Sequence, residues 1–491
     1  MSYCRTVSAM GNRVSASGTS LPGGFPPPRR RRRWLRRVLV TALVGGVVAG
    51  GVLRLLPGER PHPAARPPAS GPQAQVPTAV VSGLPAALGQ LAAFIGQEER
   101  RVRAHPRDAR AWAVLGRAYV ERGRRTAGPA DYPRAEQALQ TSLSVAQNTE
   151  AYDGLTALAL ARQDFPAAKW YGERALKAAP KRWTAYPPLI DAYTGLGDYK
   201  AARACLDKLL QLRPGAAARP AVMARASAVY RDRGWREDAV AQLTDAAAAA
   251  GTPAEQADCL TGLGQLAWER GDLEDALRHF DAAARLDPDQ PAAQSGQGRV
   301  LAALGGTTQA YAAYGAALAR HPSPQDAYEL GELYEAQGMT APARAQYAQM
   351  MALVRREVAA GVDEDLLTGR FEADHGDPEE AVRRLRAEWQ RQPGTEVADA
   401  LGWALHRAGA DKEALAYATA ATDTSRGGVR SAPYSFHRGL IERELDLWAP
   451  ARRHLQEALR INPYFSPLWV PVARAALAAL GAQPADAGVP Q

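Results

Sequence analysis

The sequence predicts an all-α chain, a superhelical solenoid of about ten helix-turn-helix repeats preceded by a single transmembrane helix. Two observations predict this fold class. Small residues and prolines recur at a spacing of 34 residues, and an uncharged apolar run follows a cluster of arginines near the N-terminus. The chain has 491 residues, of which 46% are hydrophobic, so it is long enough for a repeat array with a continuous core.

The 34-residue recurrence is the strongest pattern in the sequence. Four residues recur 34 positions later, namely Gly264, Gly271, Ala276 and Pro288 at Gly298, Gly305, Ala310 and Pro322. The first repeat contains Trp112-Ala-Val-Leu115-Gly116-Arg-Ala-Tyr119. This W-x2-L-G-x2-Y pattern resembles the tetratricopeptide repeat (TPR), and the resemblance implies that each unit consists of two antiparallel helices, A and B.

Small residues have two expected positions in each unit. Glycines such as Gly264 and Gly298 lie where helix A approaches its neighbour closely, and large apolar residues such as Phe280 follow on helix B. A second set lies at the turn between helices A and B, where glycine can adopt the left-handed conformation. The expected turn glycines are Gly123, Gly197, Gly234, Gly271, Gly305, Gly338, Gly376 and Gly409.

The N-terminal segment predicts a membrane anchor. Residues 29–33 are all arginine, and Val38 to Leu53 is an uncharged apolar stretch. A helix over 34–56 is long enough to cross a hydrocarbon core of about 30 Å. Nine of the ten arginines in residues 1–56 precede the apolar run, so the positive-inside rule keeps the N-terminus in the cytoplasm and places the repeats outside.

Two alternatives to an uncleaved anchor remain at this stage. Arg31-Arg32-Arg33-Trp34-Leu35-Arg36 resembles a twin-arginine export signal, although Arg54 to Pro57 is a poor context for cleavage. The apolar segment could also lie outside a membrane. The predicted organisation is a disordered basic cytoplasmic tail (1–33), a transmembrane helix (34–56), a proline-rich linker (57–83), a leading cap helix (84–108), the TPR repeats (109–465), a C-terminal cap helix (466–481) and a disordered tail (482–491).

The location of the charge argues against nucleic-acid binding. The chain carries a net charge of +9, but residues 1–56 contain ten arginines and no lysine or acidic residue, so the remaining chain is close to neutral. Proteins that bind nucleic acid concentrate basic charge on the folded domain that contacts phosphate. The basic tail next to an apolar run favours a membrane instead.

The concave face of the solenoid is the predicted partner site. In TPR proteins helix A lines this face, and the mixed charges and aromatics on it favour recognition of a protein or peptide. Trp268 and Trp403 are the predicted hot spots, with packing against helix B of the same unit as the alternative. The predicted groove residues are Arg117, Asp191, Arg231, Gln265, Trp268, Arg299, Glu332, Glu335, Arg370, Trp403, His406 and Arg443.

No pattern in the sequence predicts an enzyme, a cofactor or a metal site. The chain has no P-loop, no H-E-x-x-H and no G-x-S-x-G motif. Its three cysteines, Cys4, Cys205 and Cys259, lack metal-type spacing, and the last two are expected to be buried. The predicted function is a membrane-anchored TPR scaffold for an unidentified protein or peptide. The alternatives are a soluble cytoplasmic or secreted adaptor and an accessory subunit for a transporter or a cofactor-maturation enzyme.

Overall fold

A computed structural model of the protein describes residues 72–424 and 427–481. These residues form 23 α-helices and two short 3-10 helices, and they contain no strand. No helix among them is long and apolar enough to span a membrane. The predicted basic tail, the transmembrane helix at 34–56 and the disordered tail at 482–491 lie outside the described residues.

Twenty of the α-helices form ten consecutive A–B pairs, which we call units 1 to 10. Helices α1 (Pro72–Ser82) and α2 (Leu88–Ala104) precede them, and α23 (Trp469–Gly481) follows. Units 1 to 5 are α3 (Ala109–Thr126) with α4 (Asp131–Val145), α5 (Thr149–Ala161) with α6 (Phe165–Ala178), α7 (Tyr186–Gly195) with α8 (Tyr199–Gln211), α9 (Arg219–Asp232) with α10 (Arg236–Ala249), and α11 (Pro253–Glu269) with α12 (Leu273–Leu286). Units 6 to 10 are α13 (Pro291–Ala303) with α14 (Thr307–Arg320), α15 (Pro324–Ala336) with α16 (Thr340–Ala359), α17 (Asp365–His375) with α18 (Pro378–Arg391), α19 (Thr395–Arg407) with α20 (Asp411–Thr422), and α21 (Ala432–Glu444) with α22 (Trp448–Ile461). The 3-10 helices, Trp183–Ala185 and Ala216–Ala218, precede α7 and α9.

Close approach between the two helices of a unit explains the recurring glycines. A Cβ atom on Gly331 would lie 2.3 Å from Cε1 of Tyr347, and one on Gly264 would lie 2.8 Å from the Phe280 ring. Both aromatic side chains come from helix B of the same unit and are buried. The small residue on helix A therefore makes room for the large residue on helix B, as the sequence predicts.

The A–B turns follow the glycine pattern with two exceptions. Six of the eight expected turn glycines have positive φ, namely Gly197, Gly234, Gly271, Gly305, Gly338 and Gly409. Gly123 instead lies inside α3, because the insertion after it extends the helix to Thr126, and Ala127 takes the left-handed conformation at φ 44°. Gly376 ends α17 with φ −128°.

Residues 72–82 differ from the predicted proline-rich linker, because they form the helix α1. Val76, Ala79 and Val80 are buried in the first core cluster together with residues of α2 and unit 1. Their spacing of three and four residues is that of an apolar helix face, which the surrounding prolines obscure in the sequence. The N-terminal end of the repeat array is thus covered by two helices rather than by one.

Contacts between distant units close the superhelix on itself. The A–B turns of units 1 to 5 meet the segments that follow units 5, 8, 9 and 10, and we call this line of contacts the seam. The residues that it joins are 162 to 229 positions apart in the chain. Arg125 pairs with Asp287, Gln392 donates to the Gln163 carbonyl, Tyr199 bonds to Thr395, Arg236 donates to the Arg430 carbonyl, and Asn462 donates to the Trp268 carbonyl.

Turn glycines also allow the seam to form. A Cβ atom on Gly197 would lie 2.6 Å from the Pro393 carbonyl oxygen, and one on Gly271 would lie 2.9 Å from the Pro463 ring. Both glycines have positive φ, so they serve the local turn and the distant contact together. One consequence of the seam is that residues far apart in the chain line the concave face together.

Candidate functional site: a channel lined by the A helices

The A helices of units 3 to 10 line a partly open cavity of about 1170 Å³, which we call the channel. Its wall is completed by segments that the seam brings in, around Gly394, Pro433 and Pro467. Small-molecule sites commonly measure about 300–1,000 Å³, so this channel is larger than a typical small-molecule pocket. Its lining is drawn from eight successive units.

The channel wall is rich in charged and aromatic side chains. Carboxylates outnumber arginines, ten to seven. The carboxylates are Asp191, Asp232, Glu269, Glu329, Glu332, Asp363, Asp374, Glu388, Glu396 and Asp399. The arginines are Arg225, Arg231, Arg236, Arg299, Arg370, Arg430 and Arg474.

Most of the arginines are already neutralised or hydrogen-bonded by the protein. Arg299 binds Glu329 with its Nη2 2.8 Å from Oε1, and it also donates to Gln265 at 3.0 Å. Arg225 pairs with Asp191 at 3.1 Å. Arg231 lies 3.1 Å from an oxygen of Asp232 and 3.8 Å from Glu269. These pairs fix the shape of the wall and leave few positive charges for a ligand.

Arg370 on α17 is different from the other arginines of the channel. It lines the cavity and is half-buried, and it makes no ion pair or hydrogen bond with any described residue. Burial opposes its charge, whereas the carboxylates of Glu396 and Asp399 and the Tyr434 hydroxyl raise its pKa, and the net direction is upward. Arg370 therefore carries a free guanidinium group that can bind a ligand carbonyl or carboxylate.

Glu332 on α15 is the acidic counterpart of Arg370, since it also lines the channel. It makes no ion pair with a described residue, and burial raises its pKa to about 8, partly offset by a hydrogen bond from Tyr328. The carboxylates of Asp374, Glu329 and Glu335 raise the pKa further. With a pKa of about 8 this side chain is mostly protonated at neutral pH, so it can donate a hydrogen bond as well as accept one.

The two predicted hot-spot tryptophans are mainly structural. Trp268 is 8% exposed and packs with Leu273 and Phe280 of its own unit. Trp403 is 3% exposed, and its Nε1 donates to Asp374 at 2.9 Å. Both line the channel but are almost fully buried, so removing either one would create a core cavity and would not simply weaken binding.

Eight of the twelve predicted groove residues line the channel, namely Asp191, Arg231, Gln265, Trp268, Arg299, Glu332, Arg370 and Trp403. Arg117 is buried, and it donates to the Val80 carbonyl of α1 at 3.1 Å. Glu335 accepts a hydrogen bond from Tyr347, and His406 bonds to Asp411. Arg443 is half-buried on α21 and does not line the channel.

Several channel residues escape the sequence prediction for identifiable reasons. Tyr328 precedes Glu332 by four residues and Asp374 follows Arg370 by four, so both could have been found by extending the predicted helix face by one turn. Tyr434, a third channel residue that was not predicted, lies near the start of α21. Residues such as Thr395 and Pro467 reach the channel only through the seam, for which no local pattern exists.

One acidic group among the described residues has the spacing of metal ligands, formed by Asp363, Asp365 and Glu388. The guanidinium of Arg391 lies among these carboxylates and contacts Asp363 and Glu388. Gln392 also bonds to Asp363 and to the carbonyl of Gln163 across the seam. An arginine thus occupies the position that a cation would need, and the group stabilises the seam.

Comparison with known protein families supports the assignment of the helix pairs as repeats. Family models described as tetratricopeptide repeat match residues 191–215 and 223–291, which correspond to parts of units 3, 4 and 5. The chain therefore contains tetratricopeptide repeats, and the remaining helix pairs repeat the same A–B arrangement. No curated protein matches the chain.

Three solved structures illustrate the similarity. A tetratricopeptide repeat protein from Parabacteroides merdae is 18% identical, with 53% of this chain and 97% of that chain covered and a TM-score of 0.32. PilF from Pseudomonas aeruginosa is 19% identical, with 42% and 91% covered and a TM-score of 0.34. The human IFIT1 dimer with m7Gppp-AAAA is 16% identical, with 69% and 78% covered and a TM-score of 0.43.

Proposed function

We propose that this protein is a membrane-anchored TPR scaffold that holds an extended segment of a partner polypeptide in its channel, outside the cytoplasmic membrane. TPR repeats are interaction modules, and the channel is the observation that carries the proposal. Its wall combines aromatic groups with side chains of both charges, and Arg370 and Glu332 are free of internal ion pairs. These groups suit the carbonyls, amides and side chains of a peptide.

The charge of the channel favours a polypeptide over a nucleic acid. A single strand of nucleic acid needs a groove of positive charge along its backbone. Apart from the protonated Glu332, nine acidic residues face seven arginines, and Arg299, Arg225 and Arg231 are paired within the protein. A phosphate backbone would meet net repulsion in this channel.

Blocking the channel tests the proposed ligand site. Ala302 on α13 lines the channel, whereas Ala316 on the neighbouring α14 is exposed outside it. The full chain carrying Ala302→Trp is expected to lose the binding of dodecapeptides selected on the wild-type protein from a random library, while Ala316→Trp retains it. Circular dichroism confirms that both variants are folded. Equal binding by both variants would place the peptide elsewhere, and a failure to select any peptide on the wild type would refute peptide binding.

The location is tested separately from the ligand. Tags at both ends of the chain, followed by protease treatment of intact spheroplasts, are expected to show digestion of the repeats and protection of an N-terminal membrane-bound stub. This expectation depends on the arginine-flanked apolar run at 38–53. Protection of the repeats until the cells are lysed would place the scaffold and its partner in the cytoplasm.

A further inference from the structure

The lysines of this chain are concentrated in one short segment. The sequence has six, and five of them, all except Lys412, lie between positions 169 and 208. Within residues 165–213, nine basic residues accompany four acidic ones, although the repeat region as a whole is close to neutral. This segment comprises helix B of unit 2 and all of unit 3, namely α6, α7 and α8.

The acidic residues of the segment are already engaged, whereas the lysines are not. Asp191 pairs with Arg225, and Asp207 pairs with Arg203. Glu173 accepts a hydrogen bond from the Tyr193 hydroxyl, and Asp198 caps the N-terminus of α8. None of the five lysines forms an ion pair or a hydrogen bond with a described residue, and all except the half-buried Lys169 are exposed. Their charge is therefore available to an external anion.

Exposed tryptophans accompany these lysines. Trp170 is 49% exposed, and the Arg174 guanidinium lies 3.8 Å from its ring centroid. Trp170, Arg174, Lys177 and Lys181 are spaced by four, three and four residues, so those on α6 share one helix face. Next to α8, Trp235 is 44% exposed, with the Arg203 guanidinium 5.0 Å from its ring centroid.

We propose that the outer side of units 2 and 3 is a docking face for an anionic lipid bilayer. The basic face consists of Trp170, Arg174, Lys177, Lys181, Lys200 and Lys208. Tryptophan is favoured where an apolar body meets a polar boundary, and lysine stems extend their ammonium groups to headgroup phosphates. Basic residues near an anionic bilayer each add attraction, and this attraction weakens with added salt. The lipid surface would hold the solenoid in a defined orientation, and the channel would remain free.

A nucleic acid is the other polyanion that could meet this face, and the observations favour lipid. Binding of single strands uses the flat face of an aromatic ring as a stacking surface for bases. One face of the Trp170 ring is covered by Arg174, and the ring of Trp235 is approached by Arg203. A bilayer needs no such access, because a ring edge can enter the headgroup layer directly, as can the apolar Leu210 on α8, which is 41% exposed.

Lysine footprinting on vesicles tests the proposal, since Lys412 serves as an internal control. The full chain is combined with vesicles of phosphatidylcholine, or of phosphatidylcholine with 30% phosphatidylglycerol, and is acetylated briefly before mass spectrometry. Acetylation of Lys177, Lys181, Lys200 and Lys208 is expected to slow about fivefold or more on the anionic vesicles only, with Lys412 unchanged. The protection should disappear in 1 M salt, where the Debye length is about 3 Å.

A charge-matched pair of variants completes the test. Lys177→Gln, Lys181→Gln and Lys208→Gln together should restore the acetylation of Lys200 on anionic vesicles. Arg278→Gln, Arg383→Gln and Lys412→Gln together remove the same charge elsewhere and should leave the protection intact.

Three results would overturn the docking face. These are equal labelling on the two vesicle types, equal loss of protection in both triple variants, and protection by an oligothymidylate without protection by anionic vesicles. Flotation of the chain with pure phosphatidylcholine vesicles reports on the N-terminal anchor independently of this result.

Discussion

The buried ion pair of the seam gives the sharpest prediction. Arg125 Nη2 lies 2.7 Å from Asp287 Oδ2, and the two side chains are 5% and 10% exposed. Asp287→Asn keeps the size of the side chain and an oxygen that can still accept from the Asp289 amide, but it removes the negative charge. The Arg125 Nε and Nη1 atoms have no other hydrogen-bond partner. The variant would leave a buried unpaired charge, which costs about 3–5 kcal/mol.

A nearby exposed pair provides the control. Asp289 lies 3.0 Å from Arg320, and these side chains are 40% and 49% exposed. Asp289→Asn is expected to cost less than about 1 kcal/mol, as exposed pairs usually do. Urea unfolding followed by circular dichroism compares the two variants, and small-angle X-ray scattering reports whether Asp287→Asn opens the seam and raises the radius of gyration. Equal small losses and an unchanged radius of gyration would refute the buried seam pair.

Three further predictions concern packing, titration and thiols. Gly331→Ala should lower the urea midpoint, because the added Cβ would lie 2.3 Å from a buried ring atom. As a control, Gly315 lies on a helix with open space around it, so Gly315→Ala should raise the free energy of unfolding by about 0.5–1 kcal/mol. Glu332 has a folded-state pKa of about 8, well above its ordinary value of 4.5, so the folded protein retains a proton that the unfolded chain releases. Stability should therefore fall between pH 5 and pH 8, and a Glu332→Gln variant with the same slope of urea midpoint against pH would contradict this. Burial raises the pKa of the Cys205 and Cys259 thiols to about 12, so neither thiol should react with iodoacetamide in the native protein. Peptide mass spectrometry can check this expectation. Rapid labelling without unfolding would show that the thiols are accessible.

Much of the local structure could be read from the sequence, because it depends on neighbours within one repeat. Gly264 and Phe280 are in the same 34-residue unit, so their packing recurs with the period and can be recognised in the sequence. The turn glycines Gly271 and Gly305 are recognisable for the same reason, since only a local left-handed conformation is required. The same reasoning failed at Gly123, because an insertion changed where the helix ends.

The candidate site was predicted only in part. Arg370 and Glu332 follow from the helix face of their own units, but whether each is paired depends on residues one or more units away. The same position holds a paired arginine in unit 6, where Arg299 meets Glu329 from unit 7. The local pattern therefore identified the groove positions, but it did not distinguish charged side chains that are paired within the protein from those that are unpaired. The clustering of the lysines can be seen in the sequence, but the exposure of their side chains and their lack of ion pairs emerged only from the packed helices.

The sequence by itself determined the helix-pair repeat, the glycines at close contacts, and the expectation of a partner surface on the A helices. Tertiary structure decided that this surface and the seam together form a channel. The seam joins residues such as Trp268 and Asn462, 194 positions apart, and a 34-residue pattern carries no information about contacts between one turn of the superhelix and the next. Those contacts depend on the small rotation between successive units, which accumulates over about six repeats and is set by the packing of every intervening helix.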